Sequence, residues 1–287
     1  MTSSESPVFK FPGDDPEMEQ AGVKARKSFR FFWREMAWEQ RRIIPGLQLA
    51  TVKAAFADPP EVHAQNPGGL EKEHMWLMDV EFDGRQLEGT LINTPISLQT
   101  FHEGDRVTVA GRQISDWMYV SDGDVYGGYT VDLMRSRMGR GERKQHDEAW
   151  GFDFGEVGIV DLVPPEYIGQ EPVKRKGRFS FLGGGAKPEP QNPAVAAATE
   201  HPMSVNMRES LEAALQQDPQ QVHGTDHRGF SYLHQLSLAG SADGVDVCLK
   251  YGADPKKPAA NGMTPFALAK VFGWKRVMDC LQKAGGS

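Results

Sequence analysis

The sequence has few cysteines and no long apolar run. Two cysteines in 287 residues are too few for a disulfide framework or a four-cysteine zinc site. No stretch of about 18 apolar residues occurs, so no segment has the composition of a membrane span. The first residues, Met1-Thr2-Ser3-Ser4-Glu5-Ser6-Pro7, lack the basic start and apolar core of a secretory leader. Excess positive charge is missing too. Thirty-two Lys and Arg stand against 39 Asp and Glu, for a net charge of −7. That argues against a general nucleic-acid binder. These absences lead to the expectation of a soluble protein in a reducing cytoplasm, with neither membrane nor nucleic acid as partner.

What is present divides the chain into zones. Residues 1–15 are polar and acidic and are expected to be loose. Residues 16–168 mix apolar periodicity with turn signals, as a globular domain does. Residues 169–203 are rich in Gly, Pro, Ala and charge, as in Lys174-Arg175-Lys176-Gly177 and Lys187-Pro188-Glu189-Pro190. Such a stretch buries too little to offset its chain entropy and reads as a linker. Its Gly183-Gly184-Gly185 run lacks the following Lys-Ser/Thr of a phosphate loop and reads as a hinge. Residues 204–287 become helical again.

This last zone repeats. Gly229-Phe230-Ser231-Tyr232-Leu233-His234 aligns with Gly262-Met263-Thr264-Pro265-Phe266-Ala267 at an offset of 33 residues, and Gly240 with Gly273. Thr264 can cap a helix, and Pro265 suits a first turn that needs no donor. Gly229 and Gly252 permit the left-handed turns that close such units. The period and the Thr-Pro-Leu-His-like start resemble the ankyrin repeat. Met207, Leu211, Ala214 and Leu215, ahead of Asp218-Pro219, add a partial capping unit. An array of about two and a half units is short for a structure stabilised by stacking. It is therefore expected to dock on the N-terminal domain or on a partner. Cys248 and Cys280 read as small core residues, and His234 occupies the His position of the repeat.

In the N-terminal zone, Asp14-Asp15-Pro16-Glu17 marks a helix start. Met18, Ala21, Gly22, Ala25, Phe29, Phe32, Trp33 and Met36 then form one apolar face. Lys24, Arg26, Lys27, Arg30 and Arg34 fall mostly elsewhere and are expected in solvent, and Pro45-Gly46 stops the helix. Strands are expected over 48–56, 74–82 and 86–92, the last two joined at the hairpin signal Asp83-Gly84. A further pair, 106–109 with 113–119, would turn at Ala110-Gly111. A short helix is expected over 131–138, and a final strand from the alternation of Trp150, Phe152 and Phe154. The class is α+β: an antiparallel sheet packed on a long helix, followed by an all-α ankyrin-repeat domain.

Several motifs stand in a fixed order: Val52-Lys53-Ala54-Ala55-Phe56, Glu73-His74-Met75-Trp76-Leu77, Glu88-Gly89-Thr90-Leu91-Ile92-Asn93-Thr94-Pro95, Gly104-Asp105-Arg106-Val107, Ile114-Ser115-Asp116-Trp117 and Gly127-Gly128-Tyr129-Thr130. Together they resemble the bacterial domain-of-unknown-function family 2314 over roughly residues 20–165. The resemblance implies a fold and a bacterial source rather than an activity. The pairing with ankyrin repeats resembles immunity and accessory proteins of toxin loci.

Candidate sites are few. Glu71, Glu73 and His74 suggest metal or acid–base chemistry, with His63 nearby in sequence. Neighbours on a strand face opposite sides, however, and no usual ligand spacing occurs. The basic run 135–144 reads as a salt-sensitive contact to an acidic protein or a flexible solvated loop, and His146-Asp147-Glu148 as a loop or a solvated face. The most distinctive cluster is Asp116-Trp117 with Gly127-Gly128-Tyr129-Thr130. Its glycines allow a tight turn or the close approach of a partner, and its aromatics are of the kind that anchor interfaces. The competing reading is that Asp116 accepts backbone hydrogen bonds and Trp117 fills the core.

The expected function is protein binding without catalysis or cofactor, through Trp76, Asp116, Trp117, Gly127, Gly128, Tyr129, Thr130 and His234. The partner would be another protein, a cognate toxin that the chain neutralises by occlusion. Its acidic charge would steer it to a basic partner such as a nuclease. The rivals are an enzyme built on Glu73, His74 and Asp116, and a scaffolding adaptor.

Overall fold

The computed structural model describes residues 15–66, 68–170 and 189–287. The Asp15 carboxylate accepts the N–H groups of Glu17 and Met18 and starts helix α1, Pro16–Glu39. The expected face is buried at Ala21, Gly22, Ala25, Phe29, Phe32 and Trp33. From Ser28 onward the opposite side is buried as well, through Phe31, Arg34, Ala37 and Trp38. Arg34 is therefore inside the protein rather than in solvent. It donates to the carbonyls of Ala196 and Thr199 at 3.0 and 3.1 Å. Arg30 is half-buried and donates to the Phe272 carbonyl at 3.2 Å. The helix has two packing partners, and the sequence stripe showed only one. It also stops at Glu39, ahead of Pro45-Gly46.

Beyond it come β1 (Leu47–Phe56), the short helix α2 (Pro60–His63), β2 (Glu73–Phe82), β3 (Gln86–Leu91), β4 (Arg106–Ala110), β5 (Ile114–Ser121) and β6 (Asp124–Gly127). All pairings are antiparallel, in the order β4-β3-β2-β1-β5-β6. The Asp83 carboxylate closes the β2–β3 hairpin by accepting from Arg85 and Gln86 N–H at 2.8 and 2.7 Å. The pairing expected around Ala110-Gly111 does not form. Val109 lies opposite Leu87 on β3 and Trp117 opposite Val52 on β1, so each strand meets the core beside a different neighbour. Only the 3-10 turn Gly111–Gln113 joins β4 to β5. A flat sheet would hold those strands about 19 Å apart, more than the roughly 14 Å that four residues span. The sheet must therefore curl around its core.

Helix α3 (Tyr129–Arg137) agrees with the expected short helix. The basic run continues as a helix rather than a loop, α4 (Arg140–Trp150). Buried Arg135 anchors it with a two-pronged contact to Asp147, at 2.9 and 2.8 Å. The expected final strand is absent. Gly151, in the left-handed region, ends α4, and only a single bridge joins Asp153 to Asp124. The alternating rings instead pack locally, with Trp150 edge-on to Phe154 at 6.1 Å.

The C-terminal region is helical: α5 (Pro193–Ala198), α6 (Pro202–Gln217), α7 (Tyr232–Ala239), α8 (Ala242–Lys250), α9 (Pro265–Phe272) and α10 (Lys275–Lys283). Helices α9 and α10 begin 33 residues after α7 and α8. Thr264 caps α9 by accepting Ala267 N–H at 3.2 Å. Gly240 ends α7 at φ +76, and a side chain there would collide with the Trp274 ring. Burial pushes the Cys248 thiol up to about 12, as for a core residue. Of the array's possible docking partners, the structure places it on the N-terminal domain. Phe272 contacts Phe29, and Asn261 donates to the Asp83 carbonyl at 2.9 Å. One apolar core runs from Phe29 and Leu77 through Phe230, Leu238 and Leu268.

The expectations for residues 1–14 and for the Gly183–Gly185 hinge lie outside the described residues. The described end of the linker stretch carries α5. Among the described residues, no helix is long and apolar enough to cross a membrane.

Candidate functional site

Asp116 sits on β5 with no exposed surface. One carboxylate oxygen accepts the N–H groups of Trp117 and Tyr129 at 2.9 and 3.0 Å. The other accepts Thr130 N–H at 2.7 Å and its hydroxyl at 2.6 Å. Burial pushes the carboxyl above its ordinary value, against the pull of the Thr130 hydroxyl, the Lys53 charge and the N–H donors. Two of these N–H groups belong to the first turn of α3, where a helix offers unpaired donors. Asp116 thus ties the start of α3 to the sheet.

The glycines serve the same junction. A Cβ on Gly127 would lie 2.3 Å from the Trp117 carbonyl oxygen and 2.5 Å from its ring, and Gly127 and Gly128 both have positive φ, +77 and +76. Only glycine fits so close a crossing. The Trp117 indole N–H donates inward to the Ala25 carbonyl at 3.0 Å. Asp116, Trp117, Gly127, Gly128 and Thr130 are all buried, and Tyr129 is half-buried. As candidate contact residues this cluster needs correcting. The structure brings it together as interior architecture, and its buried members offer a partner no surface.

His234 requires the same correction. It is fully buried, with Nδ1 2.8 Å from the Ser231 hydroxyl and Nε2 2.9 Å from the Lys257 carbonyl. It fastens one repeat loop to the next. The face of α7 that an isolated array would offer is turned toward α1.

Glu73, His74 and Asp116 do not converge. Glu73 is buried and holds the 96–98 loop, accepting N–H groups from Ile96, Ser97 and Leu98 at 2.8, 2.5 and 2.9 Å. Burial alone would raise its carboxyl, but these donors outweigh it and hold the group below its ordinary value. His74 is exposed on the other side of the strand. Among the described residues, no three His, Cys, Asp or Glu side chains are grouped as metal ligands.

Of the expected residues, Tyr129 and Trp76 are half-buried rather than buried, and Trp76 packs against the cluster of Met118, Val120, Val131 and Phe154. Trp76 lies opposite Lys53, whose Nζ stands 5.4 Å from the ring centroid. Lys53 and Trp76 share the sheet face away from α1 with His74 and Ala55, and with Met78 opposite Thr90. Ile92 donates its N–H to the Trp76 carbonyl at 3.1 Å and is 37% exposed. Across this face the β5–β6 half is closed by Val131 of α3 and by Phe154, which pack on Met118 and Val120. The β1–β3 half keeps Lys53, Ala55, Trp76, Met78 and Thr90 half-buried and His74 exposed. Sequence reasoning missed Lys53, Met78 and Ile92. Strand parity with Trp76 was the signal that could have found them.

Residues 15–154 match the family described as "Uncharacterized protein conserved in bacteria (DUF2314)". A Neisseria meningitidis serogroup B protein named "Putative ankyrin repeat protein" is 36% identical over 278 residues, covering 97% of this chain and 98% of that protein. The "Uncharacterized protein YegJ" of Escherichia coli is 37% identical over 60 residues, 21% of this chain and 39% of that protein. The chain belongs to the family of the Neisseria protein and carries a DUF2314 domain at residues 15–154.

Proposed function

We propose that this chain is a protein-binding module, and specifically an immunity protein that neutralises a cognate bacterial toxin by docking on it and occluding its site. The observation that carries the reading is the Trp76 face. There an aromatic ring, flanked by Met78, Ile92 and the Lys53 ammonium, remains partly open on a rigid sheet. Large aromatics on rigid supports are the usual anchors of interfaces. The net charge of −7 favours encounter with a basic protein. The helical array then acts as internal support for the domain, since its α7 face is already engaged by α1.

The enzyme reading has less support, because Glu73 and Asp116 are consumed by backbone donors and His74 stands apart from both. The test is capture of tagged full-length protein from its own cells at low and high salt. One stoichiometric, salt-weakened partner that is toxic when expressed alone is the expected result. Recovery of the chain alone at both salts contradicts the proposal. Several substoichiometric partners would favour a scaffolding adaptor instead.

A further inference from the structure

A cavity of about 180 Å³ lies where α1, the end of β2 and α7 meet. Trp33, Phe82 and Phe230 supply apolar wall, and Arg41 and Arg228 line it as well. An engineered cavity of about 150 Å³ encloses benzene, so a ring-sized body fits a space of this volume.

The lining carries more donors than acceptors. Arg41 donates to the Ala37 carbonyl and, at 2.9 Å, to the Gln235 side-chain oxygen, both neutral. Among the described residues no carboxylate lies within ion-pair distance of it, and its guanidinium stands 5.5 Å from the Trp38 ring centroid. Arg228 is held by Glu81 at 3.4 Å and Asp226 at 3.3 Å. Glu81 is shared with Arg106 at 3.6 Å. Arg228 and Arg106 thus meet two carboxylates between them, and Arg41 meets none. The Trp33 indole N–H and Arg228 Nε are also buried with no hydrogen-bond partner among the described residues. Buried donors of this kind are costly unless an acceptor meets them.

We propose that this cavity binds a small monoanionic carboxylate with a ring-sized apolar body, its charge answering Arg41 and its ring lying among Trp33, Phe82 and Phe230. The site lies between the sheet domain and the helical array, so an occupant stabilises their junction. This inference is independent of the protein-binding reading.

The test is calorimetric titration of the full chain with benzoate, phenylacetate and cyclohexanecarboxylate, and with benzyl alcohol as the uncharged counterpart. At least one carboxylate is expected to bind one-to-one below about 1 mM and to raise the melting temperature. Benzyl alcohol should bind at least about tenfold more weakly, and Arg41→Gln should remove that difference. Ala37→Leu, which fills the cavity, should abolish binding of both. Absence of binding by all three carboxylates at about 1 mM overturns the proposal. So does equal affinity for benzyl alcohol in the unaltered protein, a comparison that needs no variant to fold. Undiminished binding in folded Ala37→Leu would place the ligand elsewhere and overturn it too.

Discussion

Phe272 of the second repeat stacks on Phe82 at the end of β2, with ring centroids 5.6 Å apart and planes at 29°. The contact joins the sheet domain to the helical array. Phe272→Ala removes a half-buried aromatic, so a loss of about 2–3 kcal/mol is expected. Because one core crosses the junction, chemical unfolding of the full chain should remain a single transition in which fluorescence and circular dichroism coincide. Two separated transitions in the unaltered protein would contradict a shared core.

Asp116→Ala should cost about 3 kcal/mol or more, because it leaves four buried donors without their acceptor. Asp116→Asn keeps the volume and one acceptor oxygen and should cost less. If the two variants melt together with the parent, the carboxylate does not hold α3 to the sheet. Gly127→Ala should be comparably damaging, since its Cβ collides with Trp117.

His201 gives a pH dependence whose sign can be stated. It is buried, with Nε2 3.0 Å from the Glu35 carboxylate, and Nδ1 accepts Met203 N–H at 3.1 Å. Burial lowers its pKa against the pull of Glu35, so the unfolded chain binds a proton more readily than the folded one. This contribution is fully present above the unfolded value of about 6.5 and is lost as pH falls toward the folded value. His201→Asn retains a capping side chain and should flatten the stability slope between about pH 7 and pH 5. An unchanged slope would rule His201 out as its source.

Glu73 titrates lower. Its depressed carboxyl contributes stability above about pH 4.5 that is lost as pH falls through the folded value. Glu73→Gln should therefore differ most from the parent near neutral pH and converge with it in acid. An unfolding series at descending pH reads this directly, and a gap that widens in acid would refute it.

Much of the fold was legible where one period governed one environment. The strands from Leu47 to Leu91 alternate over a single buried face, and the repeat announced itself through Gly240 and Gly273 at the same offset as their helices. Reading failed where a segment served two neighbours. Arg34 looked solvated because its cover, Ala196 and Thr199, lies more than 160 residues away in sequence. Helix α4 has almost no apolar stripe and is fastened instead by Arg135 to Asp147. Strands β4 and β5 are adjacent in sequence but pair elsewhere, because only a curled sheet lets both reach the core. In the candidate site, aromatic and glycine content found the Asp116–Gly127 junction but could not tell interior from surface. Only the strand register showed that Trp76 faces outward beside Lys53.

The most direct measurement compares capture of a partner by the parent protein, by Trp76→Ala and Ile92→Glu on the sheet face, and by Val271→Glu on the exposed side of the array. All variants should first be shown to melt as the parent does. The two sheet-face variants should lose the partner by about tenfold or more while Val271→Glu retains it. Loss with Val271→Glu, and full retention by both sheet-face variants, would contradict sheet-face docking and return the docking surface to the helices.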